Sequence, residues 1–250
     1  MILENQMTAE LFLVLGGSVL FVVGLYFQRK KQLIADTPTS MIRSLAMGLV
    51  EIYGKVIPIK ERLLKSPFTN KDCVYYRYTI EEYRSSGKSS HWVTIKKEEQ
   101  RDLFYLKDET GTVLIDPKGA QIEARRDFEC QSGLGKDPPE QVIRFLRTRK
   151  ISHEGVLGLN KTMRYRETVI VPADRLYIMG TAGENPFKKE GTDDQVDSIM
   201  IQKGTHEKQY YISDKQEKQI VTQLILLVFG LGGCGIVLII IGAILGLQLI

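Results

Sequence analysis

At 250 residues the chain has room for one or two domains. Its bulk composition is ordinary, 43% hydrophobic and 26% charged with a net charge of +4, and so small a surplus lacks the basic stripe of a nucleic-acid binder. Three cysteines rule out a disulfide framework.

The apolar residues are unevenly spread. A short tail, residues 1–10, leads into LFLVLGGSVLFVVGLYF (11–27), which carries no charge. The second apolar block is densest over 224–247, LILLVFGLGGCGIVLIIIGAILGL, again without a charge. A bilayer core needs roughly 20 helical residues. Backbone in hydrocarbon must satisfy its own hydrogen bonds, so each block reads as a transmembrane helix. The expected organisation is a tail (1–10), a first transmembrane helix (11–27), a soluble β-rich domain (28–219), and a second transmembrane helix with the terminus (220–250). A cleaved signal peptide is the alternative for the first block. Against it, residues 1–10 hold Glu4 and Glu10 and no Lys or Arg, and the basic cluster follows the helix. A re-entrant hairpin breaking at 230–235 would leave halves too short to span.

All 34 Lys and Arg lie between the two blocks. The membrane-proximal ones are Arg29, Lys30, Lys31 and Arg43 on one side and Lys203, Lys208, Lys215 and Lys218 on the other. Basic residues at helix ends resist translocation, so both termini are expected outside and the domain in the cytosol; the inverted topology is the alternative. Inversion would permit a Cys73–Cys130 bond and glycosylation at Asn160-Lys161-Thr162. Gly242-x-x-x-Gly246 in the second helix, with Gly16, Gly17 and Gly24 in the first, allows close helix contact, either between the two spans or in a homo-oligomer.

Within the domain, Pro38 ends the first helix. Thr39 or Ser40 caps a short helix through Leu45, closed by Gly48; this is an amphipathic helix beside the membrane or a core-packing turn. LVEIYGKVIPI (49–59) then alternates as a strand, bent at Gly54. CVYYRYTIEEY (73–83) and HWVTIKKEEQ (91–100) form a hairpin with a Gly/Ser tip. FYLKDETGTVLIDPKGA (104–120) forms a second hairpin, placing Phe104, Leu106, Val113 and Ile115 in one core. Asp137-Pro138-Pro139-Glu140 starts the one soluble helix, with Asp137 as cap and Val142, Ile143 and Leu146 apolar. Strands follow in RYRETVIVP, RLYIMGTA, SIMIQK and KQYYIS, with a polar surface loop over 183–197.

This order resembles an OB-fold, a small Greek-key barrel, with the 73–100 hairpin inserted. The fold class expected is therefore mainly β, an OB-like barrel with an inserted hairpin plus one soluble helix, flanked by two transmembrane helices. Further residues carry a family resemblance. They are Gly48-Leu-Val-Glu-Ile-Tyr-Gly-Lys55, Ser66-Pro67, Cys73-Val-Tyr-Tyr-Arg77, Trp92, Phe104-Tyr-Leu106 and Asp108-x-Thr-Gly111. Ile115-Asp-Pro-x-Gly-Ala120, Glu167-x5-Ala173 and Leu176-Tyr-Ile-Met-Gly180 complete the set. In this order they resemble the GIDE domain, also called BAM for "beside a membrane". The resemblance implies a domain set between two membrane helices, as in mitochondrial RING-type E3 ubiquitin ligases. It also implies a zinc-binding RING beyond the second helix. The chain ends at Ile250, and its three cysteines and three histidines include no C-x2-C, so RING chemistry is expected in trans. In those relatives the domain faces away from the cytosol, which favours the inverted topology.

No cofactor, metal or catalytic residue is expected. His91, His153 and His206 are scattered; Glu81-Glu82 and Asp193-Asp194 read as solvated acids. Ser85, Ser86, Ser89 and Ser90 near His91 lack a nucleophile elbow, and no phosphate loop is present. The expected function is a membrane-anchored interaction or scaffold domain whose partners are the lipid bilayer and a protein. Its candidate surface is Tyr75, Tyr76, Arg77, Tyr78 and Trp92, together with Arg29, Lys30, Lys31, Lys215 and Lys218. One alternative is a component of a ubiquitin-like E3 ligase pathway, or of membrane or organelle organisation. The other, single-stranded nucleic acid stacked on an OB-like barrel, is disfavoured by the small charge surplus.

Overall fold

The computed structural model describes residues 2–36, 39–59, 62–87, 89–155, 160–187, 198–205, 207, 209–215 and 217–247. It divides into a helical unit, Met1–Pro38 with Lys215–Ile250, and a β-rich unit, Thr39–Asp214. The helical unit begins with α1 (Ile2–Asp36), which extends beyond the apolar block at both ends. Within it Glu10–Gln32 is long and apolar enough to cross a membrane.

The β-rich unit is built on alternation. Its strands are β1 (Gly48–Pro58), β2 (Leu64–Lys65), β3 (Asp72–Cys73), β4 (Tyr75–Ser86), β5 (Ser89–Arg101), β6 (Phe104–Lys107), β7 (Thr112–Ile115), β8 (Gln121–Glu123) and β9 (Phe128–Ser132). The helix α2 (Glu140–Thr148) follows, then β10 (Met163–Ile170), β11 (Arg175–Glu184), β12 (Ile199–Gln202) and β13 (Tyr211–Ser213). Strands β1, β6, β7, β12 and β11 hydrogen-bond in that order, and β11 returns to β1 to close a five-stranded barrel. Only β7–β12 is parallel among these pairs. Numbered by chain order, the strands run 1-2-3-5-4 and back to 1, the Greek-key arrangement of an OB-type barrel. Every second residue points inward, so Val50, Ile52, Val56, Phe104, Leu106, Val113, Ile115, Leu176, Ile178, Ile199 and Ile201 share one core. Each such side chain contributes roughly 1.5–3 kcal/mol. A Cβ on Gly54 would lie 2.6 Å from the Lys107 carbonyl oxygen, so glycine is what lets β1 and β6 approach at the bend.

The segment after Thr39 is a core-packing turn rather than an amphipathic helix. Only Ile42–Ser44 is helical, as a single 3-10 turn, and no side chain of its own caps it. Ile42 and Leu45 are buried in the barrel core. The cap comes from the β6–β7 turn: Asp108 Oδ2 accepts the Ile42 amide at 2.8 Å and Thr110 Oγ1 accepts the Arg43 amide at 3.1 Å. Asp108 Oδ1 also accepts the amides of Thr110 and Gly111 and the Thr110 hydroxyl. Burial pushes the Asp108 carboxyl up, but these donors outweigh it and hold the carboxyl below the usual range. A carboxyl depressed in the native state stabilises above its unfolded pKa, and that stability is lost as pH falls through the native value. Asp108→Asn should therefore cost about 1–2 kcal/mol near neutrality and flatten the acid side of the stability profile, measured by denaturant unfolding between about pH 7 and pH 4.

The 73–100 hairpin is not a lone insertion. Strands β4 and β5 enter between barrel strands β1 and β6, while β9, α2 and β10 enter between β7 and β11; they join as a second sheet, β5-β4-β10-β9. One face of that sheet packs Tyr76, Tyr78, Ile80, Met163, Tyr165 and Val169 against Val142 and Leu146 of α2 and against Phe68. The expected cap at Asp137 does not form. Pro139 occupies the N-cap with an extended backbone and no side-chain bond, and Asp137 instead accepts from the Asn160 side-chain amide. The paired prolines hold the chain extended two residues too long for Asp137 to reach the helix. The polar loop begins later than expected, because Gly183 and Glu184 still belong to β11; residues 188–197 lie outside the described residues.

The C-terminal part of the helical unit is continuous: α3 (Glu217–Leu227), one π-helical turn (Val228–Gly232) and α4 (Gly233–Leu247). Thr222–Gly246 is the second stretch long and apolar enough to span. The glycines at 230–235 widen one turn instead of reversing the chain. Glycines also form the seam with α1. A Cβ on Gly17 would lie 2.7 Å from the Gly235 carbonyl oxygen, and one on Gly24 would lie 2.8 Å from the Gly232 Cα. Gly242 meets Val14 at 2.8 Å on the same basis, while Gly246 has ordinary clearance, 3.4 Å, from Glu10.

Candidate interaction surface

Pleating sorts the side chains of β4 between two environments. Tyr76 and Tyr78 point to the α2 side and are core residues, and Tyr75 lies in the barrel core. These three were expected on the surface from their aromatic, strand-like spacing. Tyr76 and Tyr78 are interior because strand alternation gives the open face to Arg77, Thr79 and Glu81, whereas Tyr75, at the start of β4, shares the parity of Arg77 and is buried because that end of the strand packs into the barrel core. Two of these tyrosines still satisfy their polar ends at the sheet edge: Tyr76 Oη donates to Gln100 at 2.7 Å and Tyr78 Oη to Glu98 at 2.9 Å.

The open face is assembled from strands distant in sequence. Arg166 of β10 pairs opposite Thr79 of β4, which pairs opposite Lys97 of β5. Arg77 is opposite Thr168 on one side and Glu99 on the other. Arg77, Lys97, Arg126 and Arg166, with Thr79 and Thr168, line an open cleft of about 320 Å³. Glu81 bridges Arg164 and Arg166 at 2.8 and 3.1 Å, and Glu129 also binds Arg166, at 3.2 Å, and pairs with Arg126. Among the described residues, the side chains of Arg77 and Lys97 make no hydrogen bond or ion pair. At the hairpin end, Trp92 packs against Tyr83 with centroids 5.1 Å apart and carries the Arg164 guanidinium 4.3 Å above its ring. Of the five residues expected here, Arg77 and Trp92 belong to this face. Lys97, Arg126 and Arg166 were missed; the alternation Arg164-x-Arg166 in a strand was the available signal.

Among the described residues no three His, Cys, Asp or Glu side chains cluster to hold a metal. Cys73 and Cys130 are free thiols; burial, then the Glu167 and Asp72 carboxylates, push Cys73 up to about 12, and burial pushes Cys130 up to about 11. Neither supplies a thiolate near neutrality. Glu82 is engaged by Arg84 at 2.7 Å and Lys161 at 3.5 Å, and His153 lies 3.7 Å from Glu154. His91 is exposed on the hairpin. His206, Lys208, Asp193 and Asp194 lie outside the described residues.

Of the basic flanks, Arg29, Lys30 and Lys31 occupy the end of the stretch Glu10–Gln32. Lys215 precedes α3 and donates to Gln223 at 3.0 Å, and Lys218 is in the first turn of α3.

The chain matches the family model described as GIDE, E3 ubiquitin ligase, over residues 75–246, which takes in the second sheet, most of the barrel and the second apolar helix. No curated protein and no solved structure matches it.

Proposed function

The chain belongs to the GIDE family, described as E3 ubiquitin ligases, and on that premise we propose that it is a membrane-anchored interaction module that holds a ubiquitin-transfer assembly at a bilayer. The observation that carries this reading is the open face of the second sheet. One side of that sheet is covered by α2, while the other presents Arg77 and Lys97, unpaired among the described residues, beside Arg126, Arg166 and Trp92. Desolvating unpaired guanidinium and ammonium groups is favourable only against an acidic partner, so the face suits a protein segment rich in Asp and Glu. The transfer step falls to a zinc-bearing RING outside these 250 residues, because three dispersed cysteines and three dispersed histidines cannot build one.

Arg77→Glu with Lys97→Glu tests the face. Among the described residues neither side chain makes a hydrogen bond or ion pair, so stability should change by less than about 0.5 kcal/mol. Recovery of ubiquitin-ligase components cross-linked to the full-length chain should fall on the order of tenfold. Recovery equal to the unaltered chain would remove this face as the partner site.

The basic flanks support a cytosolic β-rich unit. Ser89, exposed at the hairpin tip, is a suitable reporter, whereas Cys73 is fully buried and would stay unlabelled on either side. With Cys130→Ser as background, Ser89→Cys should react with an impermeant maleimide only after lysis. Labelling in intact cells would establish the inverted topology.

A further inference from the structure

On the outer face of the barrel, one row of residues breaks the usual charge pattern of a sheet. Lys55 of β1 sits directly opposite Arg175 of β11 on one side and directly opposite Lys107 of β6 on the other. Three adjacent strands thus carry three cations at one register. Like charges directly opposite each other destabilise a sheet, and alternation normally places acids between them. Among the described residues none of the three side chains makes an ion pair or hydrogen bond. The row lies in a trough of about 460 Å³, whose other walls include Tyr53 and the hydroxyl-bearing residues Thr39 and Thr110. Two carboxylates share the trough, Asp108 and Glu109. Both oxygens of Asp108 are already taken by the amides of Ile42, Thr110 and Gly111 and by the Thr110 hydroxyl, which leaves it little capacity to neutralise the lysines.

We propose that this trough is a phosphate-binding site, in which Lys55, Lys107 and Arg175 hold the phosphate of a small organic phosphate or of a phospholipid headgroup. Arg175 offers a planar fork for two phosphate oxygens, and the lysines act as point charges on either side of the anion. A trough of this volume is in the range of small-molecule sites and takes more than a bare phosphate, so the organic part of the ligand lies along Tyr53. The lipid source has support in the sequence, since Thr39 follows the last residue of α1, Asp36, by only three positions. The site is separate from the open face of the second sheet and does not depend on it.

The test uses the full chain in nanodiscs of zwitterionic lipid, titrated with glycerol phosphate, and in parallel nanodiscs containing increasing phosphatidic acid. Binding is read by thermal unfolding and by ³¹P resonance shifts. Saturable stabilisation by glycerol phosphate identifies a soluble ligand; stabilisation by phosphatidic acid alone identifies the bilayer. Lys55→Gln and Arg175→Gln should each weaken whichever binding is seen by on the order of tenfold or more. Without ligand the same variants should unfold at equal or higher temperature than the unaltered chain, because they relieve repulsion. Lys71→Gln, which removes an exposed charge elsewhere, should leave binding unchanged. The proposal is overturned if neither ligand gives saturable stabilisation, or if Lys55→Gln and Arg175→Gln bind as tightly as the unaltered chain.

Discussion

Glu167→Ala is expected to lower the stability of the β-rich unit by about 3 kcal/mol, the upper end for hydrogen bonds to a charged group whose donors would be left without an acceptor. Glu167 is fully buried on β10, and its carboxylate accepts the Phe68 amide at 2.6 Å, the Thr69 amide at 3.1 Å and the Thr69 hydroxyl at 2.5 Å. These bonds fix the loop that carries Phe68. Phe68 is the hub of the second core, with ring centroids 5.3 Å from Tyr78, 5.3 Å from Phe145, 6.0 Å from Phe128 and 6.1 Å from Tyr165. Truncating the carboxylate leaves the Phe68 amide without an acceptor and frees the loop from the sheet. Phe68→Ala should cost a similar amount through the cavity it leaves. Because both act through one loop, the double variant should cost clearly less than the sum. Denaturant unfolding of the full chain followed by tyrosine fluorescence reads all three. A loss below about 1 kcal/mol for Glu167→Ala would show that the loop is held by packing alone.

In the helical unit the corresponding large effect is at the glycine seam. Gly235→Leu should separate α1 from α4, because the Cβ alone would meet the Gly17 carbonyl oxygen and the Phe21 amide nitrogen, each at 2.7 Å. Helices in lipid associate largely through such close backbone approach. Since the obstructing atoms are backbone, no side-chain rotation relieves the clash, and the loss should reach the upper end of overpacking effects, about 3 kcal/mol. Gly16→Leu is the internal comparison. It adds the same side chain beside Gly17, but a Cβ there meets nothing within 4 Å. Reversible unfolding in mixed SDS micelles should show a large shift for Gly235→Leu and little for Gly16→Leu. Equal behaviour of the two would mean that the seam does not hold the helices together.

Some of this architecture is written locally in the chain. Uncharged runs of transmembrane length depend only on composition, so both apolar helices were legible, although charged flanks extend α1 well past its apolar core. Alternation over four or more residues identified the barrel strands, and Phe104, Leu106, Val113 and Ile115 lie together in the core as their spacing implied. The glycine within β1, Gly54, marked a real close approach, that of Lys107. The motif order identified the family.

Other features depend on which strands become neighbours, and no local pattern specifies that. The tyrosines of β4 looked like a surface because aromatic strand residues suit either face; only the docking of α2 and Phe68 made Tyr76 and Tyr78 interior. The basic cleft needed β4, β5 and β10 to pair, and the row Lys55, Lys107 and Arg175 needed barrel closure to bring 175 beside 55. The Ile42 turn is capped by Asp108, sixty-six residues away, which no capping-box pattern could reveal. By itself, then, the sequence determined that two uncharged apolar blocks flank an alternating, glycine-punctuated β-rich segment of the GIDE family, because hydrophobicity and pleat are properties of contiguous residues. The tertiary structure alone decided which charges face one another and which aromatics are interior. Both depend on strand register and layer packing, which are set by the whole chain at once.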